Sequence, residues 1–286
     1  MRSPTPLGPS FFARWTSRIA LFSVGVLAAA IALHRLFTLP TAIALNMGAV
    51  AFAGAAISLL FAVLAGIGIW RTGRPGTPRL VFGTLVSLGL LLWPAAYYRQ
   101  YTALPAMNDI TTNAVNPPPF TVVDGKRGMG ANSVTYPGRF FAIQQAAAYP
   151  DIKAIEINRS ADESFELTAD AIRRLKMEIV RQDPPDPKTG EPGVIEAVDR
   201  TLILGFYDDV AVRVSGNDEH ARIDVRSASR YGRHDFGRNA DRVRQILKEV
   251  VVRLESVVPA EREKAQESAS VSEEPRQNRR SRRRRR

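Results

Sequence analysis

Apolar residues dominate the first third of the chain. They form three stretches, 19–39, 42–70 and 80–98, in which charged side chains are rare. Each stretch is close to the roughly 20 residues that a helix needs to cross a hydrocarbon core of about 30 Å. Lipid cannot satisfy backbone polar groups, so a helix is the expected state of each stretch. The pattern predicts a three-helix transmembrane region over residues 19–98.

Arginines flank the three stretches unevenly. Arg2, Arg14 and Arg18 precede the first stretch, and Arg71, Arg74 and Arg79 lie between the second and the third. Arg35, near the end of the first stretch, and Arg99, after the third, are the arginines at the opposite ends of these stretches. Because cytoplasmic flanks collect positive charge, residues 1–18 are predicted to be cytoplasmic and everything after Arg99 to lie outside. In a bacterium this predicts an integral protein of the inner (plasma) membrane with a periplasmic domain.

Residues 99–150 show no persistent apolar period. The run Asn116-Pro117-Pro118-Pro119 favours polyproline-like backbone. We therefore expect an extended, proline-rich arm that lies across the following domain.

Residues 151–258 alternate between helical and strand periods. A capping box at Ser160–Glu163 opens a helix, and Asp235 is a candidate N-cap for a second helix with an apolar stripe from Val243 to Val258. The predicted strands cover 152–157, 177–180, 194–204, 208–214 and a segment from Arg222, and residues 227–233 are predicted to be a loop. This order predicts a two-layer α+β domain, with an antiparallel sheet of about four or five strands and two helices on one face.

The other sheet face is predicted to be solvated and charged. The segment 222–244 holds seven arginines and three aspartates, and guanidinium groups bind carboxylates and phosphates with paired hydrogen bonds. We therefore take this face and the following loop as a candidate binding site. Its predicted residues are Asp208, Asp209, Arg213, Arg222, Asp224, Arg226, Arg230 and Arg238. The alternative is a solvated face with cross-strand ion pairs.

Candidate catalytic chemistry is limited to His234 and Asp235, which could form a general base with its orienting group. The alternative is a loop histidine beside a helix cap. No metal site is predicted, because each candidate aspartate has an arginine nearby. No cofactor is predicted either, because the sequence has no phosphate-binding or dinucleotide-binding glycine loop.

The net charge of +11 belongs mainly to the end of the chain, where eight arginines lie between 276 and 286. Residues 259–286 are polar and lack aromatic side chains, which predicts a disordered tail. Anionic lipid or nucleic acid are possible partners of this tail, and a solvated tail without a partner is the alternative.

Several motifs together resemble the uncharacterised family called "domain of unknown function 1499". They are Leu104–Thr112, Asn116–Pro118, Asp208–Val210, Arg222–Arg230 and Asp235–Arg242. The resemblance covers about 104–254 and implies no established activity or cofactor.

Three hypotheses of function follow. The first is a membrane-anchored extracytoplasmic module that binds an anionic or polar partner, which could be a protein. The second is a membrane-tethered hydrolase that uses His234 and Asp235. The third is a subunit of a membrane complex. The sequence predicts no oligomeric state.

Overall fold

The computed structural model of the chain describes residues 8–186 and 188–255. In this part of the chain three helices are long and apolar enough to cross a membrane. They are α1 (Phe11–Leu36), α2 (Thr41–Thr72) and α3 (Thr77–Ala95), and a short helix α4 (Tyr98–Ala103) continues the third. The predicted tail, 259–286, lies outside the described residues.

Small side chains bring the three helices together. The buried positions include Ala13, Ala20, Ala30, Ala44, Ala51, Ala55, Ala62 and Ala65. Two serines connect all three helices, since Ser58 Oγ of α2 donates to the Thr16 carbonyl of α1 at 2.9 Å and Ser87 Oγ of α3 donates to Ser58 Oγ at 2.8 Å. Such contacts suit helices in lipid, where close packing and interhelical hydrogen bonds drive association.

The soluble domain is built on an antiparallel sheet that has six strands in the described residues. The strands are β1 (Asp109–Thr111), β2 (Ile155–Ile157), β3 (Glu178–Asp183), β4 (Gly193–Arg200), β5 (Tyr207–Gly216) and β6 (Ala221–Ser229). Their order is β1-β6-β5-β4-β3, and β2 pairs with β6. Both β1 and β2 lie on the same edge of β6, at opposite ends of it.

The predicted strands need several corrections. β2 begins at Ile155 rather than Ile152, and β3 continues to Asp183 rather than ending at Val180. β4 ends at Arg200 rather than near Leu204. Residues 227–229 continue β6 instead of forming a loop. On one side they pair with β5, where Ser229 lies opposite Asp208, and on the other side Ser227 and Ala228 pair with β1.

Two helices pack on one face of the sheet. They are α6 (Ala161–Arg174) and α7 (238–255), and they bury side chains such as Phe165, Ile172 and Ile246 against Val212 and Val225 of the central strands. The Ser160 hydroxyl caps α6 by accepting from the Glu163 N–H at 3.2 Å, as the capping box predicts. The predicted fold class, three apolar helices followed by an α+β domain, is confirmed.

The opposite face is covered by the arm. Phe120 and Val123 of the arm pack on Val198, Ala211 and Ala228 of the sheet and form a second apolar cluster. The prediction of a solvated face is therefore wrong. The arm also contains elements that its sequence did not predict, namely β1, a 3-10 turn (Asp124–Lys126) and α5 (Arg139–Ala148).

The domain contacts the helix bundle at the end of α1. Arg200 at the end of β4 donates to the carbonyl oxygen of Arg35 at 2.8 Å, and Arg35 donates to the carbonyl oxygen of Thr201 at 3.2 Å. At the other end of the bundle, the Ser10 N–H donates to the Pro75 carbonyl oxygen at 2.9 Å. The α+β domain and the α2–α3 connection thus lie at opposite ends of the bundle.

A second contact involves aromatic rings at the end of the third span. The rings of Tyr101 and His234 stack with their centroids 5.2 Å apart, and Tyr97 contacts Phe236 at 5.6 Å. The domain is therefore held at two separate places on the bundle.

The close approach of α1 and α3 can be tested at Gly83. A Cβ added there would lie 2.8 Å from the backbone nitrogen of Ser17, whereas Gly89 on the same helix has nothing within 4 Å. We expect Gly83→Leu to separate the helices and to destabilise the bundle by about 1–3 kcal/mol. Thermal unfolding of the detergent-solubilised chain measures this. Gly89→Leu is the matched control, and equal melting temperatures for the two variants would contradict the packing.

Candidate functional site

The predicted binding residues on the polar sheet face are largely inaccessible. Asp209 is 0 % exposed, Asp224 1 %, Arg226 2 % and Arg230 7 %. Their strand positions place them on the predicted face, but the arm covers it. A buried charge needs a partner, so each of these side chains is paired with another part of the chain.

Arg226 forms the most extensive of these pairings. Its guanidinium donates two hydrogen bonds to the Asp109 carboxylate, at 3.0 and 2.6 Å. It also donates to the carbonyl oxygens of Pro118 at 3.1 Å and Val134 at 2.7 Å. The Phe120 ring lies 4.5 Å from the guanidinium carbon, a favourable cation–π distance. A single side chain of β6 thus holds three separate segments of the arm.

Asp209 of β5 accepts from two arginines. Arg230 donates to both carboxylate oxygens, with a shortest distance of 2.7 Å, and Arg127 of the arm donates to Oδ2 at 2.8 Å. Arg230 Nη1 also donates to the Lys126 carbonyl oxygen at 3.2 Å. The pairing therefore attaches the 3-10 turn to the sheet.

Asp224 of β6 contacts the beginning of the arm. Its carboxylate accepts from Arg213 Nη2 at 3.0 Å and from the Thr112 hydroxyl at 3.2 Å. Arg213 also donates to the Asn116 carbonyl oxygen at 2.8 Å. Both residues therefore contribute to the position of the proline run.

Glu196, fully buried in β4, accepts from a row of backbone N–H groups in the arm. These are the N–H groups of Thr121, Val122 and Val123, at 3.0, 2.9 and 3.0 Å, and the Thr121 hydroxyl donates as well. Burial alone raises the pKa of Glu196, but these hydrogen bonds outweigh it and leave the pKa below its ordinary value. Successive N–H groups of this kind form an anion-binding concavity, which a carboxylate of the protein itself fills.

Asp208 does not share this face. Arg242 of α7 reaches it from the helix side at 2.6 Å, and the same arginine donates to Asp199 at 2.8 Å. Neighbouring residues of a strand point to opposite faces, so Asp208 and Asp209 cannot belong to one site.

His234 and Asp235 are engaged with backbone atoms. His234 Nδ1 accepts from the Phe236 N–H at 2.9 Å, and its Nε2 lies 3.1 Å from the Leu104 carbonyl oxygen. Asp235 accepts from the N–H groups of Gly237 and Asn239, both at 2.8 Å. It therefore satisfies an N–H group in the first turn of α7, but from two residues before Gly237, which holds the N-cap position instead of Asp235. Burial raises the pKa of Asp235, although these hydrogen bonds oppose the shift. The two side chains orient the backbone and do not form a pair with each other.

A polar cleft lies beside Asp109 on the covered face. It has a volume of about 130 Å³ and is lined by residues such as Asn108, Asn132 and Ser133. Small-molecule sites usually measure about 300–1,000 Å³, so this cleft is smaller than most of them. Among residues 8–186 and 188–255, no group of three or more acidic or histidine side chains is placed to hold a metal ion.

Two of the predicted binding residues, Arg222 and Arg238, are exposed, and they lie at opposite ends of the sheet. Arg222 is exposed beside Glu156 at the end far from the bundle. Arg233 is exposed in the loop that precedes α7, and Arg238 is exposed at the first residue of α7; we call this segment the loop 230–238, and it lies next to the aromatic contact with the third span. The predicted binding residues include Arg238 but not Arg233. Asp109 and Arg127 were not predicted either, because an ion pair between distant segments leaves no local pattern.

These observations define a membrane-associated protein with an α+β domain whose polar sheet face is closed by an arm. The family model described as "Protein of unknown function (DUF1499)" matches residues 109–250. This domain of the chain therefore belongs to that family, as the sequence motifs indicate. A search of curated proteins found no match to the chain.

The lowered pKa of Glu196 predicts a specific dependence of stability on pH. Because the pKa is lower in the folded state, the stabilisation is complete above the ordinary glutamate value and is lost as the pH falls through the folded value. At neutral pH we expect Glu196→Gln to lower the free energy of unfolding by about 2–3 kcal/mol. The difference from the parent chain should shrink below about pH 4.

Urea unfolding followed by circular dichroism at several pH values measures this difference. The control is Glu219→Gln in the exposed β5–β6 hairpin, which should match the parent chain at every pH. A destabilisation by Glu196→Gln that stays constant down to pH values well below 4 would contradict the assignment.

Proposed function

We propose that the chain is a membrane-anchored extracytoplasmic module that binds an anionic partner at the membrane surface through the loop 230–238. The observation that carries this proposal is the position of the loop. It rests on aromatic residues at the end of the third span and presents Arg233 and Arg238 to solvent.

The electrostatics of the domain favour this loop over the sheet face. The arginines of the face are paired with carboxylates at short distances, such as Arg226 with Asp109 at 2.6 Å. Arg233 and Arg238 form no ion pair with any described residue, so their donors remain available. Arginine presents a planar set of donors that fits phosphate and carboxylate groups.

The aromatic surroundings support a partner at the bilayer surface. Tyr98 and Tyr101 are exposed by 68 and 60 %, and Phe236 by 36 %. Aromatic side chains of this kind favour the headgroup level of a membrane. Arginines beside them are well placed for a partner that carries phosphate or carboxylate groups at that level.

The extracytoplasmic location rests on the charge of the two ends of the bundle. Arg14, Arg18, Arg71, Arg74 and Arg79 lie at the end marked by the Ser10–Pro75 contact. Arg35 and Arg99 lie at the end that carries the domain. The positive-inside rule then favours a cytoplasmic N-terminus and, in a bacterium, a periplasmic domain attached to the inner membrane.

Cysteine labelling tests this location, because the chain contains no native cysteine. In bacterial cells with a permeabilised outer membrane, Glu219→Cys in the far hairpin should react with a membrane-impermeant maleimide. Thr72→Cys, exposed at the opposite end of the bundle, should react only after the inner membrane is broken. The reverse pattern would place the domain in the cytoplasm.

Charge reversal tests the binding loop. Phosphatidylglycerol serves as the anionic probe, and native mass spectrometry of the full chain measures how much of it remains bound. Since each arginine near an anionic surface contributes about 1 kcal/mol, Arg233→Glu with Arg238→Glu should weaken retention by about tenfold or more.

The matched control is Lys188→Glu with Arg222→Glu, which changes the net charge equally at the far end of the sheet and should retain the lipid as the parent chain does. Equal retention by both double variants would show that the loop does not bind this anion.

A further inference from the structure

The connection between β4 and β5 carries an exposed apolar tip. Leu202 is 82 % exposed and Ile203 59 %, although the domain buries most of its other aliphatic residues. These two side chains belong to neither apolar cluster of the domain, and they lie outside the loop 230–238. An apolar tip in a soluble domain usually marks a contact surface.

The loop that carries this tip has a defined conformation. The Thr201 N–H donates to the Phe206 carbonyl oxygen at 2.8 Å, and the Gly205 N–H donates to the Thr201 carbonyl oxygen at 3.1 Å. The Thr201 hydroxyl accepts from the Phe206 N–H at 2.8 Å. Gly205 has a φ of 72°, a left-handed conformation that glycine adopts without strain. The outward position of Leu202 and Ile203 is therefore built into the loop.

The ends of the loop are attached to the last turn of α1. Arg200 donates to the Arg35 carbonyl oxygen at 2.8 Å, and Arg35 donates to the Thr201 carbonyl oxygen at 3.2 Å. The ring of Phe206 lies 5.5 Å from that of His34, which is 3 % exposed. The depth of Arg35 in the bilayer thus sets the depth of the loop.

Helix length places Arg35 at the edge of the hydrocarbon. Arg18 and Arg35 are 17 positions apart on α1, and a rise of about 1.5 Å per residue separates them by about 26 Å. This is less than the hydrocarbon thickness of about 30 Å, so both arginines would lie near the two edges of the hydrocarbon, where long side chains can reach the headgroup layer. Ile203 follows Thr201 by two residues and lies within about 7 Å of it, which is about the thickness of one interfacial layer.

We propose that the β4–β5 loop inserts Leu202 and Ile203 into the bilayer that the three helices cross, in the leaflet on the side of the soluble domain. The occupant of this apolar surface is lipid, because the surface continues directly from the end of a spanning helix. Leu36 and Phe37, each 70 % exposed, follow Arg35 and extend the same apolar region. The proposal requires that the helices cross a bilayer, and it does not depend on what the loop 230–238 binds.

Spin labels on the cysteine-free chain test the insertion. Leu202→Cys and Ile203→Cys are labelled separately with a nitroxide in the full chain, which is reconstituted into phosphatidylcholine vesicles. Oxygen concentrates in lipid and a nickel chelate stays in water, so collision rates with the two reagents report depth. We expect the oxygen-to-nickel ratio at both positions to exceed that at Asp218→Cys by several-fold.

Asp218 is the matched control because it lies in an exposed hairpin at the other end of the same strands. Ratios at 202 and 203 equal to that at 218 would overturn the proposal. Protection of both labels from both reagents would also overturn it, since that result indicates coverage by a second protein chain. Because both side chains are exposed, the labelled variants should keep the melting temperature of the parent chain.

Discussion

The burial of the Arg226 guanidinium determines how the soluble domain is built. An unpaired charge at this position would be very costly, so the chain must supply a carboxylate and carbonyl oxygens from outside the sheet. Asp109, Pro118 and Val134 supply them, and all three belong to the arm. The arm is therefore a third layer of the domain, and the polar face of the sheet cannot be exposed without leaving Arg226 and its neighbours unpaired.

This constraint changes the domain boundary that the sequence predicts. The predicted boundary at residue 151 separates Arg226 from Asp109, whereas the family model matches from residue 109 to residue 250. The match thus begins at the residue that pairs with Arg226. The short segments β1 and α5 support the same unit, since the Gln145 side chain bonds both the N–H and the carbonyl oxygen of Thr111, at 3.0 and 2.7 Å. In this way a side chain takes the place of a further strand beside β1.

The sequence predicted those features that depend on local periodicity. The apolar stretches predicted three helices that are long enough to cross a membrane, and Ser160 caps α6 as predicted. Strand alternation placed the predicted charged residues of the central strands, other than Asp208, on one face. The cover over that face was not predicted, because it depends on pairs such as Arg226 with Asp109, which are 117 residues apart. A local signal did exist in Ala211 and Ala228, whose small apolar side chains alternate with the charges and provide room for Phe120. His234 and Asp235 are neighbours in the sequence, which suggested a catalytic pair. The sequence could not show that each of them bonds to backbone atoms instead.

The two separate attachments to the bundle restrict how the domain can meet other molecules. A body fixed at both Arg200 and Tyr101 cannot swivel on a single tether, so its orientation above the lipid is set before any encounter. A partner in the same membrane, as proposed above, would search in two dimensions and meet the loop 230–238 in a fixed orientation. On the proposed function, little rotational freedom would remain to be lost on association, so a small contact area would suffice for binding. The β5–β6 hairpin, no more than about 33 Å along β5 from the bundle end, is the region that molecules arriving from the aqueous side meet first.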